Sequence, residues 1–245
     1  WDDTMLIVNT DHGFLLGEHG WWAKSVQPWF NELVHLPMFL WDPRSGGRDT
    51  RRGELAQTID IAPTLLRFFD QDVPEDMQGQ DLAAPEAIAD REGALFGIHG
   101  GHVNVTDGRY VYMRAAASEA NAPLEEYTLM PTHMRSRFRP AELTEWEPAE
   151  PMPFTKGIRT MRMPAASGWM NPWRHGTLLF DLATDPEQLH PLVDDDLELR
   201  MIDLLVRLLR DSDAPLSQFE RLGLPAGGPA GPEHLLVREQ RDRAT

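Results

Sequence analysis

Two acid-His-Gly steps, Asp11-His12-Gly13 and Glu18-His19-Gly20, stand close together, and a lysine, Lys24, follows the second. An aspartate oxygen and a histidine nitrogen on adjacent residues can reach one divalent ion where the backbone turns sharply, and Gly13 permits such a turn. The mixed oxygen and nitrogen pair suits Mn²⁺, Zn²⁺ or Ca²⁺, but two ligands are too few, so others must come from elsewhere. Lys24 is the only lysine before Lys156, and Trp21, Trp22, Ala23 and Trp29 flank it. A partly desolvated ammonium beside a cation would bind a tetrahedral oxyanion and neutralise charge on a leaving oxygen. Each piece alone also has an ordinary reading: Asp-His-Gly as turn chemistry, a single lysine as a solvated surface group.

The surrounding elements are expected to position these residues. Thr4 to Thr10, TMLIVNT, is a nearly all-apolar run that suits a strand covered on both faces, as in a parallel sheet. Asp11-His12-Gly13 would then sit at the strand's carboxyl end, where ligand sites of open α/β sheets collect. Leu33 to Trp41 reads as a second strand, made irregular or peripheral by Pro37. Residues 44–53 are a polar loop, and TIDIAPTLLRFFD reads as a helix capped by Thr58 or Asp60, with Ile61, Leu65, Leu66 and Phe69 on one side.

From Gly93 the texture changes. GALFGIHGGHVNVTDGRYVYMR predicts strand, turn, strand, with Asp107-Gly108 as the hairpin signal. Residues 115–176, rich in Pro, Met, Arg and Trp, predict a long surface excursion. GTLLFDLATDPEQ reads as strand and turn, and Asp194 to Asp211 as an amphipathic helix with Leu197, Met201, Leu204, Leu205 and Leu208 on its inner face. Residues after Gly223 look like a mobile linker. The expected organisation is an α/β part over 1–92, a subdomain over 93–222 with its insertion at 115–176, and a flexible tail over 223–245.

Composition narrows the function. The 245 residues, 41% hydrophobic and 25% charged, are those of an ordinary globular protein. The 39 acidic against 23 basic residues give a formal charge of −16, a field that repels nucleic acid and anionic membranes. No apolar run is long enough to span a bilayer. The absence of cysteine removes disulfides, thiolate metal sites and a cysteine nucleophile from these residues. The chain opens on Trp1 and enters a buried-looking strand at once, from which a preceding portion is expected.

Together these stretches carry a resemblance. LIVNTDHGFLLGEHGWWAKSVQPWFNELVHLPMFLW resembles the metal-binding C-terminal motif of the type I sulfatases of the alkaline phosphatase superfamily. That motif runs from an apolar strand through Ser/Thr-Asp-His/Asn-Gly and Gly-Glu/Asp-His-Gly to a lysine. TIDIAPTLLRFF, MQGQDL, DGRYVYMR and LLFDLATDPEQ extend the similarity over most of the chain, except 115–176 and the tail.

The resemblance implies an alkaline-phosphatase-like parallel or mixed sheet sandwiched by helices, plus a small antiparallel sheet subdomain with a C-terminal helix. It implies that Asp11 and His12 bind a divalent cation (Ca²⁺ or Mn²⁺, with Zn²⁺ or Mg²⁺ as alternatives). Lys24 would contact the oxyanion and the leaving oxygen. It brings His19 near the site in a substrate-binding or supporting role. It also brings His102 close to the pocket as a substrate-binding candidate beside its ordinary structural reading. Glu32 is expected to hold a local hydrogen bond.

The family's nucleophile, a formylglycine made in Cys/Ser-x-Pro-x-Arg, has no counterpart here, because no serine begins Ser-x-Pro-x-Arg. The expected activity is therefore that of a C-terminal fragment of a sulfate-ester hydrolase acting on a small anionic ester. Formylglycine would lie in a missing N-terminal part, and the isolated chain would be inactive. A phosphonate monoester or phosphodiester hydrolase and a non-catalytic metal-binding homologue are the alternatives. No nucleic-acid or membrane partner is expected, and a homo-oligomer is left open.

Overall fold

The computed structural model describes residues 1–24, 28–45, 48–165 and 170–243. Along the chain run β1 (Leu6–Asn9), β2 (Leu15–Leu16), β3 (Trp22–Ala23), α1 (Asn31–Val34), β4 (Met38–Trp41), α2 (Ile61–Phe68), α3 (Pro85–Ala89), β5 (Ala94–Gly97), β6 (Val103–Thr106) and β7 (Tyr110–Arg114). They are followed by β8 (Glu125–Thr128), β9 (Glu147–Pro148), β10 (Met161–Pro164), β11 (Leu178–Asp181), α4 (Asp195–Asp211), α5 (Leu216–Leu222) and α6 (Val237–Gln240). The architecture is mixed α/β with small sheets, and the chain divides into two units.

The first unit comprises residues 1–96, 104–113 and 179–192. The apolar run after Thr4 forms β1, but it pairs antiparallel with β4, Leu6 opposite Trp41 and Val8 opposite Phe39. This corrects the expected parallel strand covered on both faces. β1 and β4 form a two-stranded sheet, and Leu6, Val8 and Phe39 on one of its faces remain 45%, 50% and 67% exposed. An apolar run therefore marked a strand without fixing its partners. Pro37 precedes β4, where its missing N–H costs no ladder bond.

A four-stranded sheet, ordered β11-β7-β6-β5, forms the centre of this unit. The Asp107-Gly108 turn joins β6 to β7 as expected: the Asp107 carboxylate accepts from the Arg109 and Tyr110 amides, and Gly108 has φ 92°. Val105, Val111, Tyr112, Leu179 and Phe180 are buried, each gaining on the order of 1.5–3 kcal/mol over exposure. Phe30 packs edge-on against Phe180, and the Asn31 amide donates to Gln188 Oε1, so α1 is moored to the strand end of β11.

Asp60 makes no side-chain cap on the first turn of α2 itself. Its carboxylate takes part in a capping box with Gln57 on the 3-10 turn Thr58–Asp60 that leads into α2, so the capping expectation holds in part. Asp60 is fully buried, accepts from the Gln57 and Gln80 amides, and takes both terminal nitrogens of Arg91 at 2.6 and 2.7 Å. A buried carboxylate needs such partners, and the Arg91 fork adds to the capping contact at the helix start. Of the apolar side expected for α2, Leu65 and Phe69 stay exposed, and the helix buries Pro63 and Thr64 instead.

The second unit comprises residues 97–103, 114–178 and 193–245. α4 starts at the Asp194 cap, whose carboxylate accepts from the Leu197 amide, and buries Met201, Ile202, Leu204, Leu205 and Leu209. Residues 115–176 are more ordered than a surface excursion. They hold the sheet β8-β10-β9 and bury Ala115, Ala116, Leu124 and Met163. Trp169, one of the tryptophans of that stretch, lies outside the described residues.

The residues after Gly223, read from composition as linker, include α6, with Leu236, Val237 and Gln240 buried. Glu198 on α4 anchors them by accepting from the Leu236 and Val237 amides. Glycine and proline content suggested mobility there, and a buried carboxylate overrode it.

Candidate metal and oxyanion site

The first unit brings Asp11, His12 and Lys24 together. His12 Nδ1 lies 2.9 Å from the Gly13 carbonyl oxygen. A carbonyl only accepts, so Nδ1 carries the proton and the Nε2 lone pair accepts from Lys24 Nζ. Nε2 stands 2.8 Å from Lys24 Nζ and 3.5 Å from Asp11 Oδ2. The site is open to solvent: the His12 side chain is 32% exposed and that of Asp11 83%.

Short-range chain geometry builds this cluster. The Gly13 amide donates to the Leu33 carbonyl oxygen at 2.9 Å, and the Phe14 amide to that of Glu32 at 3.1 Å. α1 therefore straps the Asp11–Gly13 loop from beneath. Gly13 was expected to supply a sharp turn, but its φ is not in the left-handed region. What it supplies is clearance, since a Cβ there would sit 1.7 Å from the Glu32 carbonyl oxygen. β2 and β3 then bring the chain back, Leu15 opposite Ala23. Ala23 has φ 81°, a strained value for a residue with a Cβ, and Lys24 follows it directly.

His19 is placed differently. Its backbone is left-handed (φ 54°) and its ring lies flat on Phe30, with centroids 3.5 Å apart. Its side chain is 7% exposed, with Nε2 3.4 Å from Glu32 Oε2. Packed in this way, His19 braces the turn between β2 and β3 against α1. Glu32, expected to hold a local hydrogen bond, serves the site through its backbone carbonyl and faces His19 through its carboxylate. Sequence reading missed Phe30 and the strained Ala23; a ring two residues before Glu32 was the one available hint. Glu18 is held below the usual carboxylate range because its Oε2 accepts from the Leu16 amide.

His102 belongs to the second unit and is fully buried. Its Nε2 meets the Gly176 carbonyl oxygen at 2.9 Å. Burial, aided by the nearby His175 and Arg221, pushes its pKa down to about 3, so it is a neutral core residue. The resemblance offered it as a substrate-binding candidate beside an ordinary structural reading, and its ring has no exposed surface here.

The donor chemistry at Asp11 and His12 fits a divalent cation. A carboxylate oxygen and an imidazole nitrogen converge, and the imidazole's other nitrogen is fixed by a backbone carbonyl, as metal-binding histidines require. Among the described residues, no group of three or more His, Cys, Asp or Glu is arranged to hold a metal, so these two would supply only part of a shell. Also among the described residues, no helix is long and apolar enough to cross a membrane.

Comparison with known proteins takes in part of this stretch, from residue 17 onward and so without Asp11 and His12 in the family match. Residues 17–92 match the family described as N-sulphoglucosamine sulphohydrolase, C-terminal. An N-acetylglucosamine-6-O-sulfatase of Bacteroides thetaiotaomicron is 33% identical over 81 residues, 33% of this chain and 14% of that protein. An arylsulfatase of Clostridium perfringens is 29% identical over 105 residues, 41% of this chain and 21% of that protein. A multifunctional alkaline phosphatase superfamily protein of Trinickia caryophylli is 30% identical over 87 residues, 34% of this chain and 16% of that protein.

Among solved structures, a sulfatase of a Bacteroides thetaiotaomicron glycosaminoglycan locus superposes with a TM-score of 0.53 at 17% identity. The superposition covers 91% of this chain and 40% of that one. A 2-O GAG sulfatase gives 0.50 at 16% identity over 85% of this chain and 35% of that one. The matches thus span well under half of each relative. Residues 17–92 are similar to the C-terminal part of sulfatases, and the solved sulfatases share the fold.

Proposed function

We propose that this chain supplies the cation- and oxyanion-binding part of a sulfate-ester hydrolase. The observation that carries the reading is the convergence of Asp11, His12 and Lys24, with Nζ 2.8 Å and Oδ2 3.5 Å from one imidazole nitrogen. Asp11 and His12 would hold one divalent ion, Ca²⁺ or Mn²⁺ before Zn²⁺ or Mg²⁺. When bound, that ion would neutralise charge on the ester's non-bridging oxygens. Lys24 would donate to one of those oxygens and to the oxygen that departs, where negative charge grows as the S–O bond breaks. His19 and Glu32 would keep the hairpin that carries Lys24 braced on α1.

The attacking oxygen would come from outside these residues, expected as the hydrated formylglycine of the sulfatase family. The names of the relatives support a sulfated sugar or aryl alcohol as the ester. The test joins these residues to a formylglycine-bearing segment and assays nitrophenyl sulfate. Lys24→Ala should lower turnover by about 10²–10³, as loss of an oxyanion donor does. Unchanged turnover would end the lysine's role. Residues 1–245 alone should bind Mn²⁺ weakly, show no binding once Asp11 and His12 are both alanine, and hydrolyse nothing.

A second reading, hydrolysis of phosphonate monoesters or phosphodiesters, is supported by the 30% match to the multifunctional superfamily protein. A singly charged diester presents Lys24 with the same charge as a sulfate ester, so paired sulfate and diester substrates are the discriminating assay.

A further inference from the structure

A surface of the second unit, away from the Asp11–His12–Lys24 residues in sequence, carries positive charge in a chain of formal charge −16. Between Pro131 and Phe138 the backbone doubles back. Thr132 and Arg137 form an antiparallel bridge. The His133 amide donates to the Ser136 carbonyl oxygen at 2.7 Å, and the Phe138 amide to that of Pro131 at 2.9 Å. Residues 129–137 are all exposed, and Met134 at the tip is 97% so, which makes the hairpin a projection into solvent.

Three arginines recur along it at alternate positions, Arg135, Arg137 and Arg139. Arg139 is engaged by Glu142, at 3.3 Å, and the same carboxylate takes His133. Arg135 and Arg137 have no carboxylate partner among the described residues. Between residues 131 and 164 there are six basic and four acidic side chains, the reverse of the balance in the whole chain. With a screening length of about 8 Å at physiological salt, a projecting group feels this local balance more than the remote acids.

We propose that this hairpin is a binding surface for a polysulfated glycan chain, held at its sulfate groups through Arg135 and Arg137. A guanidinium fork matches two oxygens of a sulfate as it does those of a phosphate or carboxylate, and unpaired arginines lose no internal ion pair on binding. The hairpin's phenyl ring, Phe138, is packed edge-on against His133 at 4.5 Å. It therefore offers no open platform for stacking nucleobases, which favours a glycan over a single-stranded nucleic acid. The proposal rests on the sulfatase-family reading and extends it from one ester group to a chain carrying several.

Heparin is the probe, with residues 1–245, Arg135→Ala/Arg137→Ala, and Arg67→Ala/Arg238→Ala compared by calorimetry and salt elution. The wild-type chain should bind heparin, and the Arg135→Ala/Arg137→Ala variant should bind about tenfold or more weakly, with a log–log salt slope smaller by about two. Both arginines are exposed, so the variant should keep the wild-type circular dichroism spectrum. The Arg67→Ala/Arg238→Ala variant, which removes the same charge from exposed arginines elsewhere, should bind heparin as wild type does, because the hairpin is intact.

Equal heparin binding by wild type and the Arg135→Ala/Arg137→Ala variant would overturn the proposal, as would no wild-type binding at about 50 mM salt. Displacement of heparin by a single-stranded oligonucleotide at equal charge would overturn the glycan assignment. Failure of the sulfatase reading would show elsewhere, in nitrophenyl sulfate turnover insensitive to Lys24, and the two failures are distinguishable.

Discussion

Asp11, His12 and Lys24 meet at an open surface, whereas Arg114 and Glu198 meet inside the second unit with both side chains essentially inaccessible. Arg114 donates to the carbonyl oxygens of Leu222, His234 and Gly223 at 2.8, 2.7 and 2.9 Å, and Glu198 accepts from two amides. In the sealed cluster, donors and acceptors are matched within the chain, so its charge serves the fold. In the open cluster, the imidazole lone pair accepts from the Lys24 ammonium beside a solvent-exposed carboxylate, so an entering ligand has one internal hydrogen bond to displace. Burial with matched partners marks structure; exposed convergence marks a site.

The largest expected effect tests the sealed side. Arg114→Ala leaves three carbonyl oxygens short of a donor and Glu198 buried without its cation, a loss of about 3–5 kcal/mol. Urea unfolding should show the midpoint collapse, and a loss below about 0.5 kcal/mol would break the contrast, since surface changes already reach that size. The next effect compares two glycines of the first unit. A Cβ on Gly13 would stand 1.7 Å from the Glu32 carbonyl oxygen, and one on Gly79 2.1 Å from that of Ile59. Each alanine should cost about 1–3 kcal/mol as overpacking. Only Gly13→Ala displaces the Asp11–His12 loop, so only it should also abolish Mn²⁺ binding in calorimetry.

Much of this organisation was legible in the residues, for reasons that differ by element. α4 was readable because its apolar spacing, acidic start and cap all agreed, and the Asp107-Gly108 turn because its chemistry is local. The partner of β1 was not, because an apolar run does not encode which strand lies beside it. Asp60 looked like a cap alone because its partner Arg91 is distant in sequence, and the same distance hid the burial of His102 against Gly176. At the candidate site the residue types were visible. The strap by α1, the clearance at Gly13 and the strain at Ala23 were not, since each arises from backbone approach.

His102 sharpens the comparison through pH. Its folded pKa of about 3 lies under the ordinary 6.5, so between those values the unfolded chain takes up a proton that the folded chain refuses. The stability this neutral ring permits is present above the unfolded value and lost as pH falls toward the folded one, at up to roughly 1.4 kcal/mol per pH unit. The stability curve of His102→Gln should be flatter than that of wild type on acidification to about pH 4.5, because the group that binds protons only on unfolding is gone. Parallel curves would mean that His102 is protonated while folded.

The smallest stability effect belongs to the open site and is the most informative about it. Asp11 is 83% exposed at its side chain, and its one ion-pair neighbour among the described residues is His12 at 3.5 Å. Asp11→Asn removes a charge that water already solvates, so unfolding should shift by no more than about 0.5 kcal/mol. The same change removes half of the candidate donor pair, because a neutral amide oxygen is a weaker cation ligand than a carboxylate. Calorimetry should therefore show Mn²⁺ binding lost while the unfolding midpoint holds. If stability falls and binding survives, Asp11 belongs with Arg114 and Glu198 among the groups that hold the fold, and the site must be sought elsewhere.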